Sequence, residues 1–462
     1  MKTRFKFSIC LALLILGGRS ISAAEKGESS QPGQGPLHSY VKQPDASYRW
    51  VKRQEGKVGK ATWAELILTS QTWKDTVWKH QLFVIRPSEV ENEAQGIMLI
   101  DGGAWSDDLA KPAADDKGGK LPSEAAILAQ VAERVKSPVA VLKQVPNQPI
   151  FDGLTEDGAI SYTFEQYINT GDSSWPLLLP MVKSAVRGMD AVQEFAKQEW
   201  SLDIKNFTLT GASKRGWTTW LTASVDPRVN AFAPMVIDML NMGVQMKHQV
   251  ATFGEFSEQI QDYTNRGIQQ QNDSDVGRML QAIVDPYAYR ALLTQPKVIL
   301  LGTNDRYWPL DALNLYWNGL AGEKHILYVP NNGHGLNDFT RIIGTVSALH
   351  RQAAGGKHLA KLTWELTDND ERATLNIKAD TKPDKVSAWV ATAATRDFRE
   401  SKWTSHPTEL VEGAYQYKLE RPKSGYAAVF GEAVFDTDHQ PYFLSTNVKL
   451  VKAKDAADDT AK

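Results

Sequence analysis

Between residues 97 and 329 the chain repeats one arrangement, a short apolar run followed by an amphipathic stretch and then another apolar run. The runs lie at 97–100, 139–142, 207–209, 231–237, 298–301 and 326–329, with helical patterns such as 123–135 and 177–199 between them. A strand that is apolar along its whole length, rather than at alternate positions, is covered on both faces. Crossover helices provide that cover, so the chain reads as an α/β fold built on a mostly parallel sheet. Residues 239 to 293 break the alternation with largely helical sequence, which predicts a helical cap inserted between two strands. Met235, Met239, Met242 and Met246 recur there at helical spacing and read as the packed face of a cap helix.

Outside this block the rhythm changes. Residues 61–70 and 77–85 are β-rich runs around a polar turn and predict a hairpin. Beyond a small-residue break at 353–356, apolar runs recur at short spacing between polar turns, the pattern of a small β-sandwich. The expected organisation is an α/β domain over 45–352 and a separate C-terminal β-sandwich over 357–452. Residues 25–44, rich in Gly, Ser, Gln and Pro, read as a flexible segment, and 453–462 as a disordered tail.

Residues 1–24 have a different character. Lys2, Arg4 and Lys6 precede an apolar stretch at 9–16, and Ser22-Ala23-Ala24 supplies small residues for cleavage. This is the layout of a secretory signal peptide, with a core too short to cross a bilayer. Cleavage after Ala24 removes Lys2, Arg4, Lys6 and Arg19, taking the net charge from −2 to −6, and removes Cys10, the single cysteine. The sequence therefore predicts a periplasmic or secreted protein without disulfides. Lys and Arg number 52 against 54 Asp and Glu, so no basic excess points to nucleic acid. No later run reaches membrane-spanning length, and neither metal-ligand spacing nor a nucleotide-binding glycine motif occurs, so no metal or cofactor is expected.

The chemistry concentrates at Gly211-Ala212-Ser213-Lys214-Arg215-Gly216, which follows an apolar run and opens a helical pattern at Trp217. That is the context of a nucleophile elbow, in which small neighbours let the chain turn sharply and lift a serine Oγ above the sheet edge. In the usual G-x-S-x-G, the second glycine stands where Arg215 is; here it comes one residue later. Taken alone, the junction is equally a tight turn with a serine cap. Two later loops favour the elbow. Asp305 follows the run 298–301 through Gly302-Thr303-Asn304, and His334 follows 326–329 within Asn331-Asn332-Gly333-His334-Gly335.

Serine, aspartate and histidine in that order, each just past a strand, is the chain order of the α/β-hydrolase fold. A serine hydroxyl is a weak nucleophile at neutral pH; an imidazole takes its proton, and a carboxylate fixes the tautomer and stabilises the imidazolium. An oxyanion hole needs two backbone N–H groups. One is expected from Lys214 and the other from Gly103 or Ala104, in the glycine-flexed Asp101-Gly102-Gly103-Ala104-Trp105 loop. Trp105, Trp175, Trp217 and Trp308 fall in or beside loops expected at that edge, where aromatic faces can bind sugar rings or apolar groups, core packing being the better reading for any single one. The charges of Lys214 and Arg215 either attract an anionic substrate or pair with acidic neighbours.

These blocks, with Ser174-Trp175-Pro176-Leu177, Met181-Val182-Lys183-Ser184-Ala185 and Tyr307-Trp308-Pro309, resemble the PhoPQ-activated pathogenicity-related protein family from about Tyr40 into the C-terminal β-rich region. The resemblance implies an exported protein of α/β-hydrolase fold associated with bacterial virulence regulation, its nucleophile, acid and base at Ser213, Asp305 and His334. The expectation is a serine hydrolase cleaving an ester or amide, as an esterase or a peptidase acting on a small molecule or peptide. The competing reading is a secreted binding or signalling protein on a hydrolase scaffold with an idle triad. The sequence carries no signal of oligomeric state.

Overall fold

The computed structural model describes residues 34–111, 123–369, 371–437 and 440–454; the expected signal peptide, residues 25–33 and the tail from 455 lie outside them. Strands β1 (Arg49–Val58), β2 (Ala61–Trp73) and β3 (Thr76–Arg86) form an antiparallel meander. Six strands follow: β4 (Gln95–Ile100), β5 (Val139–Leu142), β6 (Asn206–Ala212), β7 (Val229–Met235), β8 (Lys297–Gly302) and β9 (Lys324–Val329). Their order in the sheet is β1-β2-β3-β5-β4-β6-β7-β8-β9, parallel from β5 onward. Each apolar run of the central block forms one of the parallel strands, and β5 and β8 are buried at every residue.

Helices cover both faces, as an all-apolar strand requires. They are α1 (Pro36–Lys42), α2 (Ser123–Val135), α3 (Glu156–Thr170), α4 (Leu178–Trp200) and α5 (Lys214–Val225), then α6 (Met242–Phe253), α7 (Gln261–Thr264), α8 (Asp275–Val284) and α9 (Phe339–Ala353). Helices α1, α4 and α5 pack together, and α2 packs with α9. Helices α6 to α8 lie between β7 and β8 as a helical insertion. Only part of the methionine row is helical: Met235 ends β7, Met239 lies in a loop, and α6 starts at Met242. This is the α/β-hydrolase fold. Its register aligns the strand ends that matter: Ile100 pairs with Gly211, Ala212 with Met235, and Gly302 with Val329. The loops after β4, β6, β8 and β9 therefore open on one edge, where such sheets hold ligands.

The C-terminal region supplies β10 (Leu362–Asp368), β11 (Arg372–Ala379), β12 (Lys385–Ala393), β13 (Thr404–Pro407), β14 (Glu409–Val411), β15 (Ala414–Glu420), β16 (Tyr426–Thr437), β17 (Gln440–Ser445) and β18 (Lys449–Lys452). A separate antiparallel sheet runs β10-β11-β15-β14. It packs against β16 and β12 through Leu375, Ile377, Ala388 and Val429, closely enough that a Cβ on Gly431 would lie 2.1 Å from Ile377 Cδ1. The second layer is less independent than the sequence suggests. β17 pairs antiparallel with β9 at Ser445 and Ile326, so β17, β16, β12 and β13 continue the central sheet. Pairing along a strand edge is made by backbone groups and leaves little side-chain signature.

The segment 25–44, expected to be flexible, is not so throughout: residues 36–42 form α1, with Leu37 fully buried and Val41 8% exposed in the main core. Proline starts the helix where its missing N–H costs nothing. Leu37→Ala is expected to lower stability by about 2–5 kcal/mol in urea unfolding, the range for deleting a buried leucine side chain. A change below about 0.5 kcal/mol, normal for a surface site, would show α1 to be unpacked in solution.

Candidate active site

The junction between β6 and α5 is built by what its glycines leave out. A Cβ on Gly211 would lie 2.7 Å from the Arg215 carbonyl, and one on Gly216 would lie 2.7 Å from the Met235 carbonyl. The close approach to β7 is thus made at Gly216, which frees position 215 for a large side chain. Ser213 sits between them at φ 57°, ψ −127°, and its N–H donates to Met235 O at 2.9 Å. A residue with a Cβ holds such a conformation at a cost of about 1–3 kcal/mol, only where its surroundings over-determine it.

The other two loops meet this serine. His334 Nε2 lies 2.8 Å from Ser213 Oγ, and His334 Nδ1 lies 2.8 Å from Asp305 Oδ2. The Tyr307 N–H donates to the second Asp305 oxygen at 2.9 Å, and the Tyr307 ring stacks on His334 with centroids 4.2 Å apart. A Cβ on Gly302 would lie 2.5 Å from the carbonyls of Asn332 and Gly333, so the histidine loop rests directly on the end of β8. The two loops are also cross-bonded: Asn304 N–H donates to Asn332 O at 2.9 Å, and Asn331 N–H to Thr303 Oγ1 at 2.8 Å.

A brace from the C-terminal strands holds both loops from outside. The segment between β12 and β13 accepts from Asn304 Nδ2 at Ser401 O, 2.7 Å, and at Arg399 O, 3.1 Å. Asn331 exchanges two bonds with Trp403, its Nδ2 donating to the carbonyl at 3.0 Å and its Oδ1 accepting from the N–H at 2.8 Å. Arg399 in that segment also pairs with Glu258 of the cap at 2.8 Å.

The basic residues after the serine are committed internally. The Arg215 guanidinium forms a two-point bond with Glu156, at 2.7 and 2.6 Å, and donates to Val145 O. Burial alone would raise the Glu156 carboxyl, but Arg215, with help from Gln148 and Lys214, holds it at about 2. Lys214 pairs with Asp157 at 2.9 Å, and Asp157 also accepts from the Tyr263 hydroxyl at 3.0 Å. Pairing with acidic neighbours is therefore the correct account of these charges. Gly102 makes room for Arg215, since a Cβ there would lie 2.5 Å from the guanidinium. Acidic partners nearly 60 residues upstream leave no local trace in the sequence.

Two cavities share Ser213 and His334. A narrow one of about 60 Å³ lies under the cap, lined by Met239, Met242, Met246, Ile260, Trp217 and Trp308 among others. A wider cleft of about 720 Å³ runs past Gly102 and Gly103 to the exposed Phe339. Gly103 lines that cleft and Ala104 does not, while the Gly102 N–H turns back to Asp101 Oδ1 at 2.8 Å. Of the four tryptophans, Trp217 and Trp308 line the narrow cavity. Trp175 and Trp105 line neither cavity. Trp175 is packed against Trp73, Phe151 and Tyr162, and Trp105 bonds Asp107 beside the loop. The cap methionines were read as packing, yet Met239, Met242 and Met246 border the serine; flexible thioether chains lining a site give the same spacing as a core.

Behind the acid, Asp238 is 5% exposed and accepts from the Tyr316 hydroxyl at 2.7 Å. Burial, outweighing that bond and aided by the nearby Asp305 and Asp311 charges, raises its carboxyl to about 8. In the unfolded chain it titrates near the usual 3.8. Between these values the fold keeps a proton that the unfolded chain has lost, so this group's contribution to stability falls as pH rises from 4 to 8. Asp238→Asn is expected to flatten that slope in urea unfolding measured across the window. An unchanged slope would place the proton elsewhere. Gly102→Ala is expected to push Arg215 off Glu156 and cost about 1–3 kcal/mol, the range for a broken buried hydrogen bond.

Residues 37–399 match the family described as PhoPQ-activated pathogenicity-related protein. Over 436 residues the chain is 34% identical to autocrine proliferation repressor protein A of Dictyostelium discoideum, covering 87% of this chain and 86% of that protein. Among solved structures, acetyl xylan esterase 1 from Thermoanaerobacterium sp. JW/SL YS485 is similar at 13% identity and a TM-score of 0.47, covering 69% of this chain and 92% of that one. A glucuronoyl esterase from Solibacter usitatus is similar at 14% identity and a TM-score of 0.40, covering 70% and 91%. With the family match spanning most of its length, the chain belongs to the PhoPQ-activated pathogenicity-related protein family.

Proposed function

We propose that this protein is an exported serine hydrolase that cleaves an ester through a covalent acyl-enzyme. The continuous hydrogen-bonded relay from Asp305 through His334 to Ser213, with both links at 2.8 Å, is the observation that carries the reading. Ser213 Oγ attacks the carbonyl as His334 takes its proton, and the new tetrahedral oxygen is held by the N–H groups of Lys214 and Gly103. His334 then returns the proton to the leaving oxygen, the acyl group stays on Ser213, and a water activated by His334 releases it.

The charge layout favours an ester over a peptide terminus. A pocket that grips a substrate ammonium needs an unpaired carboxylate. Asp157, the one carboxylate lining the narrow cavity among the described residues, is already engaged by Lys214 and by the hydroxyls of Tyr263 and Tyr307. Export is supported by the signal-peptide pattern of residues 1–24, three basic residues before a short apolar core and small residues.

A second reading rests on the relative named a proliferation repressor: the scaffold acts as an extracellular signal and the triad is idle. Ser213→Ala separates the two. On the hydrolase reading it lowers kcat/KM for an activated ester by about 10³-fold or more with an unchanged circular dichroism spectrum. Wild-type turnover in that variant would remove Ser213 from the mechanism. Asn331→Ala, which takes both bonds from the Trp403 brace, is expected to lower kcat with little change in KM, since it loosens His334 rather than the substrate pocket. An unchanged kcat would show that the brace does not position the base.

A further inference from the structure

Taking the hydrolase reading as its basis, we infer that the narrow cavity under the cap is the acyl pocket and that it accepts only short, uncharged acyl groups. The assignment of sides follows from the order of events. After acylation the alcohol has to leave and water has to enter along the same path, beside His334, while the acyl group stays. The small cavity, walled by cap side chains, suits the group that stays; the wider cleft, rimmed by the exposed Gly103, Gly335 and Phe339, suits the group that leaves.

Size and lining then set the class of acyl group. A cavity of about 150 Å³ lined by apolar side chains admits benzene. The cavity here is about 60 Å³, which leaves room for a chain of about two to four carbons. Its walls are mostly apolar, from Met239, Met242, Met246, Ile260, Trp217 and Trp308, and its lysine is already shared between Asp157 at 2.9 Å and Glu156 at 3.2 Å. A charged acyl chain would enter without a counter-ion and lose its hydration. The wider cleft sets no such limit, so the alcohol is free to be large.

The test is a series of p-nitrophenyl esters from acetate to octanoate, run on the wild-type protein, Met246→Ala and Ser213→Ala. The wild type is expected to give its highest kcat/KM between acetate and butyrate and to fall about tenfold or more by octanoate, because added methylenes find no space. Met246→Ala shortens a wall of the cavity and is expected to move the optimum toward hexanoate. A flat or rising profile, or one that Met246→Ala leaves in place, overturns the acyl pocket while the hydrolase reading stands, provided Ser213→Ala is inactive. No turnover of any ester, or wild-type turnover by Ser213→Ala, overturns the hydrolase reading and the pocket with it.

Discussion

The strained backbone at Ser213 is the constraint on which the rest of the site depends. A residue with a side chain keeps such a conformation only where its surroundings over-determine it. Here Gly211 and Gly216, on either side of the turn, lie so close to the Arg215 and Met235 carbonyls that neither tolerates a methyl group. The sheet fixes those contacts, because Ala212 is in register with Met235 on β7. The turn places Oγ 2.8 Å from His334 Nε2 in the loop after β9, and Gly302 lets that loop settle onto β8. Ser213, Asp305 and His334 are thus held by close backbone approaches as much as by their own hydrogen bonds.

The C-terminal strands are part of this apparatus. β17 extends the central sheet beyond β9, and the segment after β12 returns to grip Asn304 and Asn331, each next to or near a residue of the relay. Arg399 carries the same segment to the cap. Surface ion pairs of that kind contribute little singly, but the paired amide bonds at Asn331 are directional and partly buried. A sandwich attached in this way steadies the acid and base loops from outside the hydrolase fold.

The parallel strands were legible because burial on both faces forces unbroken apolar runs, and the meeting of Ser213, Asp305 and His334 could be expected because few residue types fit that chemistry and these three, in that chain order, each follow a strand. Strand β1 was not: its residues are mostly exposed or half-buried, so no apolar pattern marks it. Helix α1 hid in a stretch rich in Gly, Ser and Pro, where only Leu37 and Val41 of its apolar side chains carry the packing. The pairing of Arg215 with Glu156, and the packing of Trp175 away from the site, depend on side chains distant in sequence and close only after folding. The departure from G-x-S-x-G has a physical reason visible only in three dimensions, since Gly102 vacates the space that Arg215 fills.

Labelling of the purified, folded protein with a fluorophosphonate, mapped by mass spectrometry, asks most directly whether the relay activates its serine. The account predicts a single adduct on Ser213 in the wild-type protein and none in His334→Ala. A folded wild-type protein whose Ser213 stays unmodified, or one that labels equally without His334, would contradict it.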